Sequence, residues 1–195
     1  MPDLDAETLR TVLRRFATGV AVVTTWDGER PWGTTVNSFS SVSLRPPLIL
    51  VAFDRGRRIV PALRATGRYA VNILGEDARA LADCFAGGPV PGGDERRDGD
   101  APRASDERDR LCGAEWRRGA TGLPVLVAAI AVLECSVIDT HPTGDHDLYI
   151  ARVDAAQAVP GAVSDSTPLP LLYYSGRYLR IEQAVSHELE GKAER

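Results

Sequence analysis

The chain has 195 residues, 44% of them hydrophobic and 26% charged, with a net charge of −4. That length suits a single domain with a full apolar core, and the composition is that of a soluble globular protein. The acidic balance argues against a nucleic-acid footprint, and no run of about 18 apolar residues exists to span a membrane.

The opening stretch MPDLDAETLR lacks the basic and apolar regions of a signal peptide, so the expected location is the cytoplasm. Leu9, Val12, Leu13 and Phe16 recur at helical spacing behind Asp3 or Asp5, both candidate N-caps. GVAVVTTW, the pair DG and ERPWGTTV then predict a strand, a tight turn and a returning strand. Between Gly33 and Pro46 the pattern changes. Val36, Phe39 and Val42 recur every third residue, a period that belongs to neither a strand nor a helix. Thr34, Thr35, Asn37, Ser38, Ser40, Ser41 and Ser43 fill the gaps, and the stretch reads as a strand end passing into a loop. Such side chains either bond their own backbone or surround a flat heteroaromatic ring and a polyol chain with donors of little bulk.

PLILVAF, residues 47–53, predicts a short apolar strand, and IVPALRATG a short helix closed by Gly67. FDRGRR places Arg55, Arg57 and Arg58 between the two, either as a phosphate cradle beside free helix amides or as a solvated loop. RYAVNIL is a further strand, and Ala78, Leu81, Ala82 and Phe85 mark another helical face. Residues 87–110 are nearly all Gly, Pro, charged or small, the composition of a flexible surface insertion; a lid over a ligand is the sharper alternative. AIAVLECSVIDTH and HDLYIARVDAAQAV flank PTGD as a long hairpin, and PLLYY and RYLRIEQ form two short strands around Ser175-Gly176. Seven or so strands and few helices predict a mainly β protein, closed or nearly closed into a barrel. Strands on both sides of the insertion are needed for that barrel, so residues 1–195 are read as one domain.

Cys84, Cys112 and Cys135 are odd in number, distant and without C-x-x-C spacing, which suits buried thiols in a reducing compartment. His141, His146 and His187 form no zinc-binding pattern, so no metal is expected. Nucleophile-elbow, P-loop and dinucleotide-fingerprint motifs are missing from the sequence.

RRFATGVAVVTTWDGERPWGTTVNSFSSVSLRPPLILVAFD resembles the N-terminal half of the flavin reductase-like family, the short-chain NAD(P)H:flavin reductases that serve two-component monooxygenases. GRYAVNIL, WRRGATGLPVL, AVLECSVIDTH, GDHDLYIARV and PLLYYSGRY follow in that family's order, from about Leu9 to Arg180. The pairing of TVNSFSSVSL with a downstream GDH carries the specificity. The resemblance implies a split β-barrel homodimer that binds FMN or FAD in a groove near the subunit interface. It further implies reduction of that flavin by NADH or NADPH and delivery to a partner flavin-dependent monooxygenase. On the family pattern Thr34, Thr35, Val36, Asn37 and Ser38 meet the flavin ring and ribityl chain, and Ser40 and Ser41 meet the ribityl or phosphate portion. Ala52 and Phe53 border the ring, Arg57 and Arg58 lie by the phosphate, and Phe85 closes one side. His146 and Tyr173 match positions associated with the nicotinamide nucleotide, His146 being the candidate catalytic residue. Three positions depart from the pattern: Arg57 and Ile59 stand where many relatives carry Ser or Thr, and Tyr174 where relatives often carry His. A flavin-binding carrier or sensor on the same barrel is the alternative reading.

Overall fold

Asp5 starts the first helix, α1 (Ala6–Leu13), by accepting the Thr8 N–H at 2.8 Å, as an N-cap carboxylate does. The structure, a computed structural model, describes residues 4–89, 111–158 and 168–181. The apolar side chains predicted for this helix do not reach the core of the chain. Leu9, Val12, Leu13 and, beyond the helix end, Phe16 are all exposed.

The predicted hairpin follows as β2 (Ala21–Asp27) and β3 (Arg30–Val36), with Asp27 paired to Arg30 across a two-residue loop. Gly28, at φ 64°, takes the first loop position, where left-handed backbone favours glycine. The period-three stretch does not stay a loop. It bends at residues 37–39 and becomes an edge strand, β4 (Ser40–Leu44), whose register on β5 (Pro47–Asp54) shifts between Ser41 and Ser43. Val36 ends a strand, Phe39 lies in the bend and Val42 sits at the bulge, so three local conformations produced the apparent period.

The predicted helix after β5 is α2 (Val60–Thr66), closed by Gly67 at φ 60°. It leads to β6 (Arg68–Leu74), a 3-10 turn (Glu76–Ala78) and α3 (Arg79–Phe85). After the undescribed residues 90–110, where most of the predicted insertion falls, come β7 (Trp116–Arg118) and β8 (Pro124–Leu126), a small hairpin that hydropathy did not reveal. The long hairpin is β9 (Ala129–Thr143) and β10 (His146–Ala158). Last come β11 (Leu172–Tyr174) and β12 (Arg177–Leu179), turned by Ser175 and Gly176 at positive φ.

Seven strands form one antiparallel sheet in the order β3-β2-β6-β9-β10-β5-β4. A two-residue strand, β1 (Thr18–Gly19), joins β11 and β12 in a second sheet. The large sheet curls until its distant members meet: Ser38 Oγ, just beyond β3, donates to the Ala52 carbonyl on β5 at 2.7 Å. The hydrogen-bonded ladder is not closed, and the result is a split β-barrel.

Packing explains why β2 is central. Ala21 and Val23 join Val51, Phe53, Leu63, Tyr69 and Tyr149 inside the curl, whereas Val20 and Val22 pack outside with Leu74, Ala82, Phe85 and Leu171. Burying each large apolar side chain contributes about 1.5–3 kcal/mol, against a strand-propensity range of about 1 kcal/mol. Burial therefore decides the register. Asn72 on β6 ties β8 to this layer, donating to the Val22 carbonyl and Thr24 Oγ1 and accepting the Leu126 N–H. Buried Glu134 accepts the N–H groups of Ala120 and Thr121 so closely that a Cβ on Gly119 would lie 2.3 Å from its carboxylate.

The cysteines require a correction. Cys84, near the end of α3, and Cys112 form a disulfide with Cα atoms 6.0 Å apart, so Cys135 alone of the three is a free thiol. Both bridged residues sit in one apolar cluster; their sequence separation of 28 residues gave no hint of that proximity. Burial pushes the Cys135 thiol up to about 12, which leaves it inert.

Candidate functional site

Where the two ends of the curled sheet meet, a cavity of about 160 Å³ opens. Residues 34–38 form one wall, Ala52, Phe53 and Asp54 the facing one, and Arg57 and His146 complete the lining. Thr34, Thr35, Val36, Asn37, Ser38, Ala52, Phe53, Arg57 and His146 are thus gathered at one place. Ser40 and Ser41 lie on the β4 edge, Arg58 is exposed, and none of the three lines this cavity. Phe85 packs on β3 outside it: a Cβ on Gly33 would come within 2.6 Å of the Phe85 ring. Tyr173 pairs with Thr18 in the second sheet and stacks edge-on to Tyr178.

The polar side chains around the cavity divide into two kinds. Thr35 Oγ1 donates to the Ala82 carbonyl and Ser38 Oγ to that of Ala52, both at 2.7 Å. These two side chains pin β3 to α3 and to β5, and their protons are not available to a ligand. Among the described residues, neither the Asn37 amide nor the Arg57 guanidinium forms a side-chain hydrogen bond or ion pair. Both side chains are open to a ligand.

The turn between β9 and β10 shapes the opposite rim. His146 Nδ1 lies 2.7 Å from an Asp145 carboxylate oxygen. That hydrogen bond holds the Asp145 carboxyl below its usual range. An ionised carboxylate only accepts, so the proton is on Nδ1 and Nε2 is left for a partner. Asp147 is the residue that the sequence reading missed. It is 3% exposed, and it accepts Arg55 Nε at 2.7 Å and Arg64 Nη2 at 2.8 Å. Arg55 and then Arg64 hold its carboxyl below the ordinary value. Arg55, read from the sequence as part of a phosphate cradle, is committed to this ion pair. A signal existed: Asp147 continues the buried face of Tyr149 and Ala151 on β10, and a carboxylate there demands cationic partners.

A second, mostly apolar cavity of about 370 Å³ lies on the other side of Asn37, which lines both. Residues 16–21, Phe39 and Ile73 complete it. Among the described residues, no group of three His, Cys, Asp or Glu side chains converges as a metal site.

A curled antiparallel sheet that stays open along its seam, with a cavity there, is a split β-barrel. The sequence places it further: the flavin reductase like domain matches residues 13–182, and the chain belongs to that family. It is 33% identical over 179 residues to the reductase subunit HsaB of a flavin-dependent monooxygenase from Mycobacterium tuberculosis, covering 92% of this chain and 84% of that one. It is 35% identical over 184 residues to an NADH-dependent flavin reductase of a Rhodococcus species, covering 93% and 89%. Among solved structures, flavin reductase PheA2 superimposes with a TM-score of 0.74 at 30% identity over 92% of this chain and 100% of its own. The Streptomyces globisporus NADH:FAD oxidoreductase SgcE6, in complex with NAD and FAD fragments, gives 0.75 at 30% identity over 93% and 95%.

Proposed function

We propose that the chain is an NAD(P)H-dependent flavin reductase that moves a hydride from the nicotinamide to FMN or FAD and supplies reduced flavin to a partner monooxygenase. The observation that carries this reading is the presence of two unengaged donors, the Asn37 amide and the Arg57 guanidinium, in one cavity with His146. A flavin fits that donor set. Asn37 and the backbone N–H groups of residues 34–38 suit the carbonyl and nitrogen edges of its ring, and Arg57 suits its phosphate. When bound, the flavin supplies the hydride-accepting ring.

The protein contributes binding and orientation. The Thr35 and Ser38 hydrogen bonds hold β3 against α3 and β5, so the cavity is preformed and little ordering is required on binding. His146, its Nδ1 proton held by Asp145, presents Nε2 to the nicotinamide nucleotide, as an acceptor for the amide N–H in the neutral ring or as a donor to a phosphate oxygen in the imidazolium. Hydride transfer needs two rings face to face and neither a nucleophile nor a strong base. Relatives named as NADH-dependent flavin and FMN reductases favour the enzyme over a flavin carrier or sensor.

We further propose a homodimer, supported by the exposed stripe of Leu9, Val12, Leu13 and Phe16. A cytoplasmic location fits the pools of nicotinamide nucleotide that the reaction draws on. Among the described residues no helix is long and apolar enough to cross a membrane. The monooxygenase partnership rests on relatives such as HsaB, named as a reductase subunit. Oxidation of NADH and NADPH, followed by absorbance with excess FMN or FAD, tests the central claim. Turnover that depends on added flavin is expected. Stoichiometric flavin binding with no oxidation of either nucleotide would leave the carrier or sensor.

A further inference from the structure

Arg57 sits on the short segment between β5 and α2, and that segment is fastened to β10 through its neighbour. The Arg55 N–H donates to the Asp145 carbonyl at 3.2 Å, and the Arg55 side chain reaches the Asp147 carboxylate. Within the segment the Arg57 N–H donates to the Asp54 carbonyl, so its backbone follows that of Arg55. On the other flank Arg64 of α2 grips the second oxygen of Asp147. One buried carboxylate, one residue after His146, thus holds the start of the segment that carries Arg57 and the helix α2 that follows it. It also draws Arg55 and Arg64 into ion pairs and leaves Arg57 as the cation lining the cavity.

We propose that Asp147 is a positioning residue that acts through Arg57 to set the affinity of the cavity for the phosphate of its nucleotide; this rests on the flavin reading above. Both of its ion pairs are charge-assisted hydrogen bonds on a nearly fully buried acceptor, the setting in which loss of one partner is felt most. Asp147→Asn keeps the shape but removes the charge that holds the two arginines, so the segment loses its anchor and Arg57 its fixed place.

Fluorescence titration with FMN and with riboflavin, which lacks the phosphate, separates this role from a merely structural one. For Asp147→Asn, FMN affinity falls about tenfold, the scale of one charge-assisted hydrogen bond, while riboflavin affinity stays within about twofold. Arg57→Ala shows the same selective loss, and the double variant is no weaker than Arg57→Ala alone, since groups acting through one contact are not additive. Arg55→Ala cuts the same tether from its exposed end and reproduces the pattern should Asp147→Asn fail to fold. Equal losses for both ligands, losses that multiply in the double variant, or unchanged FMN binding would overturn the role of Asp147. A wild-type protein that binds neither of these ligands nor FAD would overturn the flavin reading itself, and this inference with it.

Discussion

His146, at the start of β10, and Arg57, on the segment after β5, reach the same cavity, and the proposal gives them different nucleotides. His146→Ala removes one polar contact worth roughly 1–3 kcal/mol. That predicts a loss of about five- to 150-fold in kcat/KM for NAD(P)H. Flavin affinity, which the proposal assigns to Asn37, Arg57 and the backbone of residues 34–38, is expected to hold within about threefold. Steady-state kinetics beside a flavin titration read both quantities from one variant. Normal nicotinamide kinetics would make His146 a turn residue, and a parallel loss of flavin would place it in the flavin site. The surroundings of His146 were only partly visible in the sequence. GDH marked the residue, and its neighbour Asp145 is its actual partner. Asp147 was passed over because a lone acid in a strand reads as solvent-facing until the burial of the alternate residues Tyr149 and Ala151 is known.

Elements show the same division between local and distant causes. α2 and the β2–β3 hairpin were legible because caps, turns and alternation are written within a few residues. The edge strand β4 was not, since it owes its existence to pairing with β5 and its bulge broke the alternation. α3 is the element whose attachment was least expected. It meets the site through Thr35 and the bulk of the domain through the Cys84–Cys112 bridge. Closing a loop of this length stabilises a fold by about 3–4 kcal/mol through the unfolded chain. Cys84→Ser should therefore lower the urea midpoint by a corresponding amount, measured without reductant. Thiol titration of the unreduced, denatured wild type should find Cys135 alone; three reactive thiols would show that the bridge does not form in solution.

At the scale of the whole molecule, the curl of the sheet matters more than any single strand. It brings residues 34–38 opposite residues 52–54 although β3 and β5 are not neighbours in the ladder, and the cavity exists only there. The same curl leaves α1 with its apolar side chains outside. Phe16 is 76% exposed and Val12 62%, so a second copy is the expected cover. Sedimentation of the wild type should give a dimer, and Val12→Glu with Leu13→Glu should shift it toward monomer, because burying two unpaired carboxylates at an interface is unfavourable. A wild type that stays monomeric at working concentration while fully active would end that assignment.

The sequence by itself determined the elements whose causes are local, and it carried the family through motifs whose order survives any folding detail. It also held most of the cavity residues, because those from Thr34 to Ser38 are contiguous and those from Ala52 to Arg57 nearly so. Tertiary structure alone decided that the Thr35 and Ser38 hydroxyls are taken by carbonyls, that Arg57 stays unpaired beside two paired arginines, that two of the cysteines are bonded, and that the apolar side chains of α1 stay exposed among the described residues. Each of those outcomes depends on a partner tens of residues away, brought near by curling and burial, and neither periodicity nor spacing encodes such a meeting.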